Sequence, residues 1–310
     1  MNLTQETLER IKRLSDKYSA TGQDLDSYLD GLLYADYLTY WDYIHLDTLL
    51  SLQTPKTQIP DEHIFVIYHQ ITELYFKLII EAIKRVTNET NPTGSLLKRQ
   101  LKRVTNYLNQ LIDSFGIMVE GMDRDEFQKF RMSLLPASGF QSAQYRLIEI
   151  MSTDFTNLIH YTQRDNTEIL SSTESIYQNI YWKRGATEAA TGKKTYTLIQ
   201  FETKYAASFL NTANEFTGKN LWQTYKKLSA EEQNDAELIE LMKHHDTNLN
   251  VRWPLSHLRS AMRHLNKNSQ EIAATGGTNW QDYLPPKNQR IILFPELWSE
   301  EELNDWGKKM

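Results

Sequence analysis

Only 12 glycines and 8 prolines interrupt this chain of 310 residues, and between them leucine, isoleucine, glutamate, lysine, glutamine and alanine recur in long stretches with helical spacing. Those residues lose little side-chain freedom in a helix, whereas glycine and proline break one, so the chain is expected to be all-α. Its length suits one domain or two. With no internal repeat, no low-complexity tract and no long linker, a single helical-bundle domain over 1–310 is expected, with 1–36 as an N-terminal helical extension.

The clearest helix opens at Pro60-Asp61-Glu62, with acids in its first turn and apolar residues at Ile64, Ile67, Tyr68, Ile71, Leu74, Tyr75 and Leu78, and extends to about Val86. Asn91-Pro92-Thr93-Gly94 breaks the chain before helical spacing resumes over 96–115. Further helices are expected over 4–18, 124–133, 140–162, 166–181, 195–215, 230–245, 251–272 and 298–307. Residues 183–195 read as a flexible loop, and a second loop runs from Thr275 through Pro286. The run from Tyr34 to Leu46 is dense enough in aromatic residues to mark a buried or interface segment.

The absence of cysteine removes disulfides, iron–sulfur clusters, thiolate-ligated haem, zinc knuckles and cysteine nucleophiles together. Any metal must therefore rely on His, Asp, Glu or Tyr, and 8 histidines are present. A formal charge of −6 without a clustered basic stripe argues against a nucleic-acid partner. No window holds the roughly 18 apolar residues of a membrane span, and the first residues lack the basic and apolar regions of a signal peptide, so a cytoplasmic protein with no membrane partner is expected. The 17 Tyr, 11 Phe and 7 Trp suit either a flat apolar ligand or a large core.

Candidate chemistry concentrates in residues 130–149, where Arg131 precedes a Pro136-Ala137-Ser138-Gly139 turn. Pro136 discourages helix at Leu135 and Gly139 permits unusual backbone angles, so the turn is expected to fix Arg131, and a fixed guanidinium grips a carboxylate through two hydrogen bonds. Capping a helix or pairing with a neighbouring acid is the alternative role. On the helix from Pro60, Phe65, His69, Thr72 and Phe76 fall on one stripe, an aromatic wall with one imidazole that suits a catalytic or a core histidine. His69 and Glu73 have metal-compatible spacing, but the Glu-x-x-His pairs of a carboxylate-bridged di-iron site are absent. His257 and His264 share a helical face, and either could serve as an axial ligand of haem. Thr275-Gly276-Gly277 permits close approach of backbone to a ligand, or forms a simple turn. Gly185 to Thr195 resembles a phosphate loop, but its glycine spacing is too long. His244-His245 reads as an exposed pair because adjacent helical residues diverge by about 100°.

In combination and order these segments resemble the tryptophan 2,3-dioxygenase family of haem enzymes. Tyr40-Trp-Asp-Tyr43-Ile44-His-Leu-Asp-Thr-Leu-Leu-Ser-Leu-Gln53 is similar to the family's Tyr-Gly-x-Tyr-Leu-x-Leu-Asp-x-Leu-Leu-x-Ala-Gln segment. Asp61-Glu62, Phe65, His69-Gln70, Glu73-Leu74 and Lys77 follow its next helix, and Phe130 to Glu149 is similar to its Phe-Arg…Gly-Pro-x-Ser-Gly-Phe-Gln-Ser…Gln-Tyr-Arg block. With Trp253…His257 and Thr275-Gly276-Gly277, the resemblance spans about residues 37–284.

The resemblance implies haem b, ligated by His257 with His264 as runner-up, and an oxygen-dependent opening of the indole ring of L-tryptophan to N-formyl-L-kynurenine. It implies that His69 accepts the indole N–H, Phe65 packs on the indole, Arg131 holds the carboxylate, and Thr275 contacts the ammonium and carboxylate. Tyr40, Tyr43 and Ile44 would reach the pocket from a neighbouring subunit of a homotetramer. The chain departs from the pattern at Phe127, a substrate-side position where the family often has tyrosine, at Leu135 and Ala274 where it has glycine, and by about four added residues between His257 and Thr275, roughly one helical turn. These departures leave open a haem mono-oxygenase or hydroxylase acting on another indole or aromatic amino acid, or a non-catalytic haem- or indole-binding protein.

Overall fold

The computed structural model describes residues 3–35, 38–134, 139–187, 192–267, 270–271 and 284–308. The chain divides into two units, Met1–Thr54 and Pro55–Met310. The first holds α1 (Gln5–Ser19), α2 (Leu25–Tyr34), α3 (Tyr40–Tyr43) and α4 (Leu46–Leu50). Thr4 accepts the Thr7 N–H and Asp24 accepts the Ser27 N–H, so side chains satisfy the open donors at both long helix starts. Tyr18 stacks on Tyr28 with ring centroids 4.0 Å apart, joining α1 to α2. No residue of these four helices is buried. This unit reaches Thr54, beyond the expected extension of 1–36, and includes Tyr40, Tyr43 and Ile44.

The second unit contains α5 (Asp61–Thr87), α6 (Gly94–Asp113), α7 (Gly116–Val119), α8 (Arg124–Phe130), α9 (Ala143–Ser152), α10 (Thr173–Gln178) and α11 (Tyr196–Phe216). It continues through α12 (Leu221–Lys226), α13 (Ala230–Gln233), α14 (Ala236–Thr247), α15 (Trp253–Leu265), α16 (Pro286–Gln289) and α17 (Glu300–Asn304). Among the described residues the fold is all-α apart from two isolated β-bridges, Ile159 with Ile180 and Thr187 with Lys194, and a two-residue antiparallel ladder, β1 (Asn266–Lys267) with β2 (Gln270–Glu271). Helix α5 packs on α6 and α9, α6 on α14, and α9 on α11. Leu97, Leu101, Val104, Leu108 and Leu111 line one face of α6 and are buried against Ile79, Ile83 and Val86 of α5 within one core. Each such side chain contributes roughly 1.5–3 kcal/mol by leaving water, so this seam fixes the long axis of the unit.

Several helices stop earlier than their periodicity suggests. The helix expected over 140–162 ends at Ser152, because Thr153 turns extended (φ −138°, ψ 172°) and its hydroxyl donates to the Leu293 carbonyl. Residues 166–181 yield only α10 and flanking turns. The helix expected over 251–272 ends at Leu265, and residues following it form the β1–β2 ladder rather than a longer helix. In the segment read as a flexible loop, Lys183 to Ala186 belong to a 3-10 helix. Lys183 is buried, pairs with Glu202 of α11 at 2.7 Å and lies 3.4 Å over the Tyr177 ring.

The His244-His245 pair is not an exposed one: His244 is exposed, whereas His245 and Asp246 are fully buried. His245 donates from Nε2 to the Ser152 hydroxyl at 2.9 Å, since that hydroxyl itself donates to the Ile148 carbonyl at 2.7 Å. Its Nδ1 is buried without a partner, and burial pushes its pKa from 6.5 down to about 4. The unfolded chain therefore binds a proton that the folded one refuses, and this contribution to stability is lost as pH falls from 6.5 to about 4. In urea titrations, His245→Phe is expected to narrow the stability difference between those pH values by up to about 3 kcal/mol relative to wild type. An unchanged pH dependence would contradict it.

Candidate active site

Helix α5 begins from a braced start. Glu62 is buried, and its carboxylate accepts the Lys56 N–H at 2.8 Å, the Thr57 N–H at 2.7 Å and the Thr57 hydroxyl at 2.6 Å. Burial works against its charge, but these donors outweigh that and hold its pKa below the usual carboxylate value. The Asp61 N–H donates to Glu126 at 3.1 Å while the Asp123 N–H donates to Asp61 at 2.5 Å, a reciprocal lock between the starts of α5 and α8. Two short segments thereby face each other at fixed register. One carries Phe65, Tyr68 and His69, and the other Phe127, Phe130 and Arg131.

Their rings form a continuous wall. Phe65 lies 4.1 Å from His69, 6.3 Å from Phe127 and 5.8 Å from Phe130, measured between centroids. On the other side of His69, Tyr68 leads at 5.7 Å to Phe115, which contacts Trp253 at 4.5 Å and His257 at 6.1 Å on α15. Phe65, Phe127, Phe130, Tyr68, Phe115 and Trp253 belong to one apolar cluster with Leu258 and Ala261.

His69 has its Nδ1 2.7 Å from the Phe65 carbonyl, a contact that requires Nδ1–H as donor and leaves Nε2 as an acceptor. Burial lowers its pKa, opposed by that carbonyl and by Glu73. The side chain is nonetheless exposed, so its ring stands at the surface end of this wall with protein packed closely around it. His257 is half-buried, and burial first and the charge of His69 second push its pKa down to about 4. The two imidazoles are thus close enough to feel one another. No hydrogen bond engages either ring nitrogen of His257 among the described residues.

His264 differs. Its Nε2 donates to the Met118 carbonyl at 2.6 Å, its Nδ1 is closed off from any accessible space, and its ring packs 5.0 Å from Phe127. It is a wall residue behind Phe127. That contact also accounts for phenylalanine at 127, since the position faces three rings and is buried.

Arg131 is buried at the end of α8, and burial lowers its pKa. Its Nη1 donates to Gln128 Oε1 at 3.5 Å, and Gln128 Nε2 donates to the His264 carbonyl, which ties the guanidinium to the end of α15. The structure therefore gathers Phe65, His69, Phe127, Arg131, His257 and His264 around one aromatic cluster. Tyr40, Tyr43 and Ile44 lie in the first unit, and Thr275 and the Pro136-Ala137-Ser138 turn lie outside the described residues. Gln128 and Phe115 escaped the sequence reading, and Phe130 entered it only as the start of the motif that carries Arg131. Gln128 had a usable signal, its position three before Arg131 on one helical face.

A neutral imidazole with an uncommitted nitrogen, set on an aromatic wall, fits one axial position of a planar iron porphyrin. Among the described residues no group of three or more His, Asp or Glu could hold a bare metal ion. The helical unit thus brings two imidazoles and a buried arginine to one aromatic cluster. Residues 31–237 match the tryptophan 2,3-dioxygenase family, a family of haem-dependent oxidoreductases, and the chain belongs to it. It is 26% identical over 273 residues to the tryptophan 2,3-dioxygenase of Polaromonas naphthalenivorans strain CJ2, covering 84% of this chain and 90% of that relative. It is 28% identical over 276 residues to the enzyme of that name from Bradyrhizobium sp. strain BTAi1, covering 84% and 91%. A shorter match, 39% identical over 118 residues, covers 37% of this chain and 42% of the tryptophan 2,3-dioxygenase of Ruegeria sp. strain TM1040.

In the haem-free protein the His257 ring is expected to titrate near pH 4 when followed by NMR, against 6.5 for an ordinary histidine. A value near 6.5 would show that the ring is open to water.

Proposed function

We propose that this chain is a haem-dependent dioxygenase that opens the indole ring of L-tryptophan with O2 to give N-formyl-L-kynurenine. The observation that carries this reading is the pair of neutral imidazoles, His69 and His257, on one aromatic wall beside a buried arginine. His257 would hold haem b through its uncommitted nitrogen, and the bound haem supplies activation of oxygen. His264 is not proposed as a ligand, because its Nε2 already serves Met118.

The side chains then orient the substrate. His69 Nε2 accepts the indole N–H, and the Phe65 carbonyl keeps the ring in the tautomer that can do so. Phe65 and Phe127 flank the indole plane, and the missing hydroxyl at 127 takes away one polar contact to the amino-acid group. Arg131 binds the carboxylate through the planar fork of its guanidinium donors. Thr275 is assigned the ammonium and carboxylate. The rings of Phe65 and Phe127 would orient the indole with its C2–C3 bond open to the oxidation that bound haem would supply.

The proposal includes a homotetramer. Tyr40, Trp41 and Tyr43 are 72%, 57% and 73% exposed, more aromatic surface than a lone chain leaves to water, and Tyr40, Tyr43 and Ile44 are assigned to a neighbouring subunit's pocket. A cytoplasmic location is part of the same reading and rests on family membership; among the described residues no helix is long and apolar enough to cross a membrane.

Reduced, haem-loaded protein given tryptophan and air is expected to yield a product heavier by two oxygen atoms, read by mass spectrometry. A gain of one oxygen would point to hydroxylation, and haem with no turnover to a binding protein. Arg131→Met is expected to weaken tryptophan binding roughly 30-fold or more while leaving free indole nearly unaffected, measured by spectral titration. Equal losses for both ligands would remove Arg131 from carboxylate recognition.

A further inference from the structure

Helices α14 and α15 are one rod interrupted by a π-helical turn, Asn248–Arg252. A π-turn takes one residue more than an α-turn, and one residue corresponds to about 100° of rotation about the helix axis. Every side chain beyond Arg252 is rotated accordingly, including Trp253 and His257, which both contact Phe115.

The cause of the wide turn is local. Pro254 lacks an N–H, and its ring crowds the carbonyl of the preceding turn. The Trp253 N–H bonds the Asn248 carbonyl in π register, and the same register would join the Leu249 carbonyl to residue 254, which has nothing to donate. That buried carbonyl instead accepts from the Tyr145 hydroxyl at 2.6 Å. On the outer side, Asn109 Oδ1 accepts from Asn248 Nδ2 at 3.2 Å and from Arg252 Nη1 at 3.1 Å. Two side chains from α9 and α6 thereby hold the turn in the register that Pro254 imposes.

We propose that this π-turn, held by Tyr145 and Asn109, sets the direction in which His257 points, making Tyr145 a positioning residue for the haem ligand. The inference rests on His257 being that ligand. Tyr145 touches neither substrate nor haem in this account and acts only through the Leu249 carbonyl and the rotation it fixes. Its effect must therefore disappear when the ligand is no longer tethered to α15.

The test uses haem-loaded protein, with the iron–histidine stretching band of the ferrous form and the rate of haem transfer to apomyoglobin as readouts. Tyr145→Phe is expected to shift the band and accelerate transfer severalfold with far-UV circular dichroism unchanged. In a His257→Gly background filled with free imidazole, the same Tyr145→Phe change is expected to alter neither readout. Asn109→Ala, at the half-buried outer side, serves as the second variant should Tyr145→Phe fail to accumulate, with the same expectations. A wild-type band and transfer rate in the variant, or an effect that persists with free imidazole, would overturn the inference. A native iron–histidine band in His257→Gly without imidazole would overturn the ligand assignment itself and this inference with it, an outcome distinct from the other two.

Discussion

The site depends on keeping one imidazole neutral. His257 sits against Phe115 with His69 nearby, so a proton on either ring would meet both a desolvation cost and a like charge. Neutrality leaves lone pairs available, one on a ring nitrogen of His257 with no other engagement and one on Nε2 of His69, whose Nδ1–H is directed to the Phe65 carbonyl. Arg131 is buried beside the same cluster and is tied through Gln128 to the end of α15. The apolar, ring-lined surroundings of His69 and His257 therefore favour a metal ligand and a hydrogen-bond acceptor at once.

That cluster is only as stable as the helices around it. The α5–α6 seam supplies the apolar core, and the Glu62 and Asp61–Glu126–Asp123 bonds set where α5 and α8 begin. Behind the site, buried polar groups fix register where apolar packing alone would allow slippage. Asp246 accepts the Leu293 and Phe294 N–H groups and the Trp298 indole, fastening the C-terminal segment to α14. Arg146 pairs with Glu149 at 3.0 Å, and the Tyr181 hydroxyl donates to the same carboxylate at 2.6 Å. Groups buried this deeply are costly when half-satisfied, so they discriminate against rearranged packings.

Helical class, the α5 stripe and the histidine candidates were legible because they rest on spacing alone. Phe65 and His69 share a face by arithmetic, and the structure places them 4.1 Å apart. What spacing cannot carry is which tertiary partner a polar side chain finds. Arg131 and Arg146 belong to one motif and are both buried, yet Arg146 serves an internal ion pair with Glu149. His257 and His264 look equivalent by period, but the carbonyl of Met118, distant in sequence, engages one of them. His245 was misread as exposed because its partner Ser152 lies on another helix. The π-turn was invisible for a related reason: Pro254 announces a disturbance, but the side chains that hold the turn, Tyr145 and Asn109, lie far away in sequence.

The central claim, that His257 is the residue positioned to hold a haem iron, is tested most directly by titrating the haem-free protein with hemin and following the Soret band. Wild type and His264→Leu are expected to bind one haem per chain, while His257→Ala is expected to lose stable incorporation. Full occupancy in His257→Ala, or its loss in a folded His264→Leu, would contradict the account.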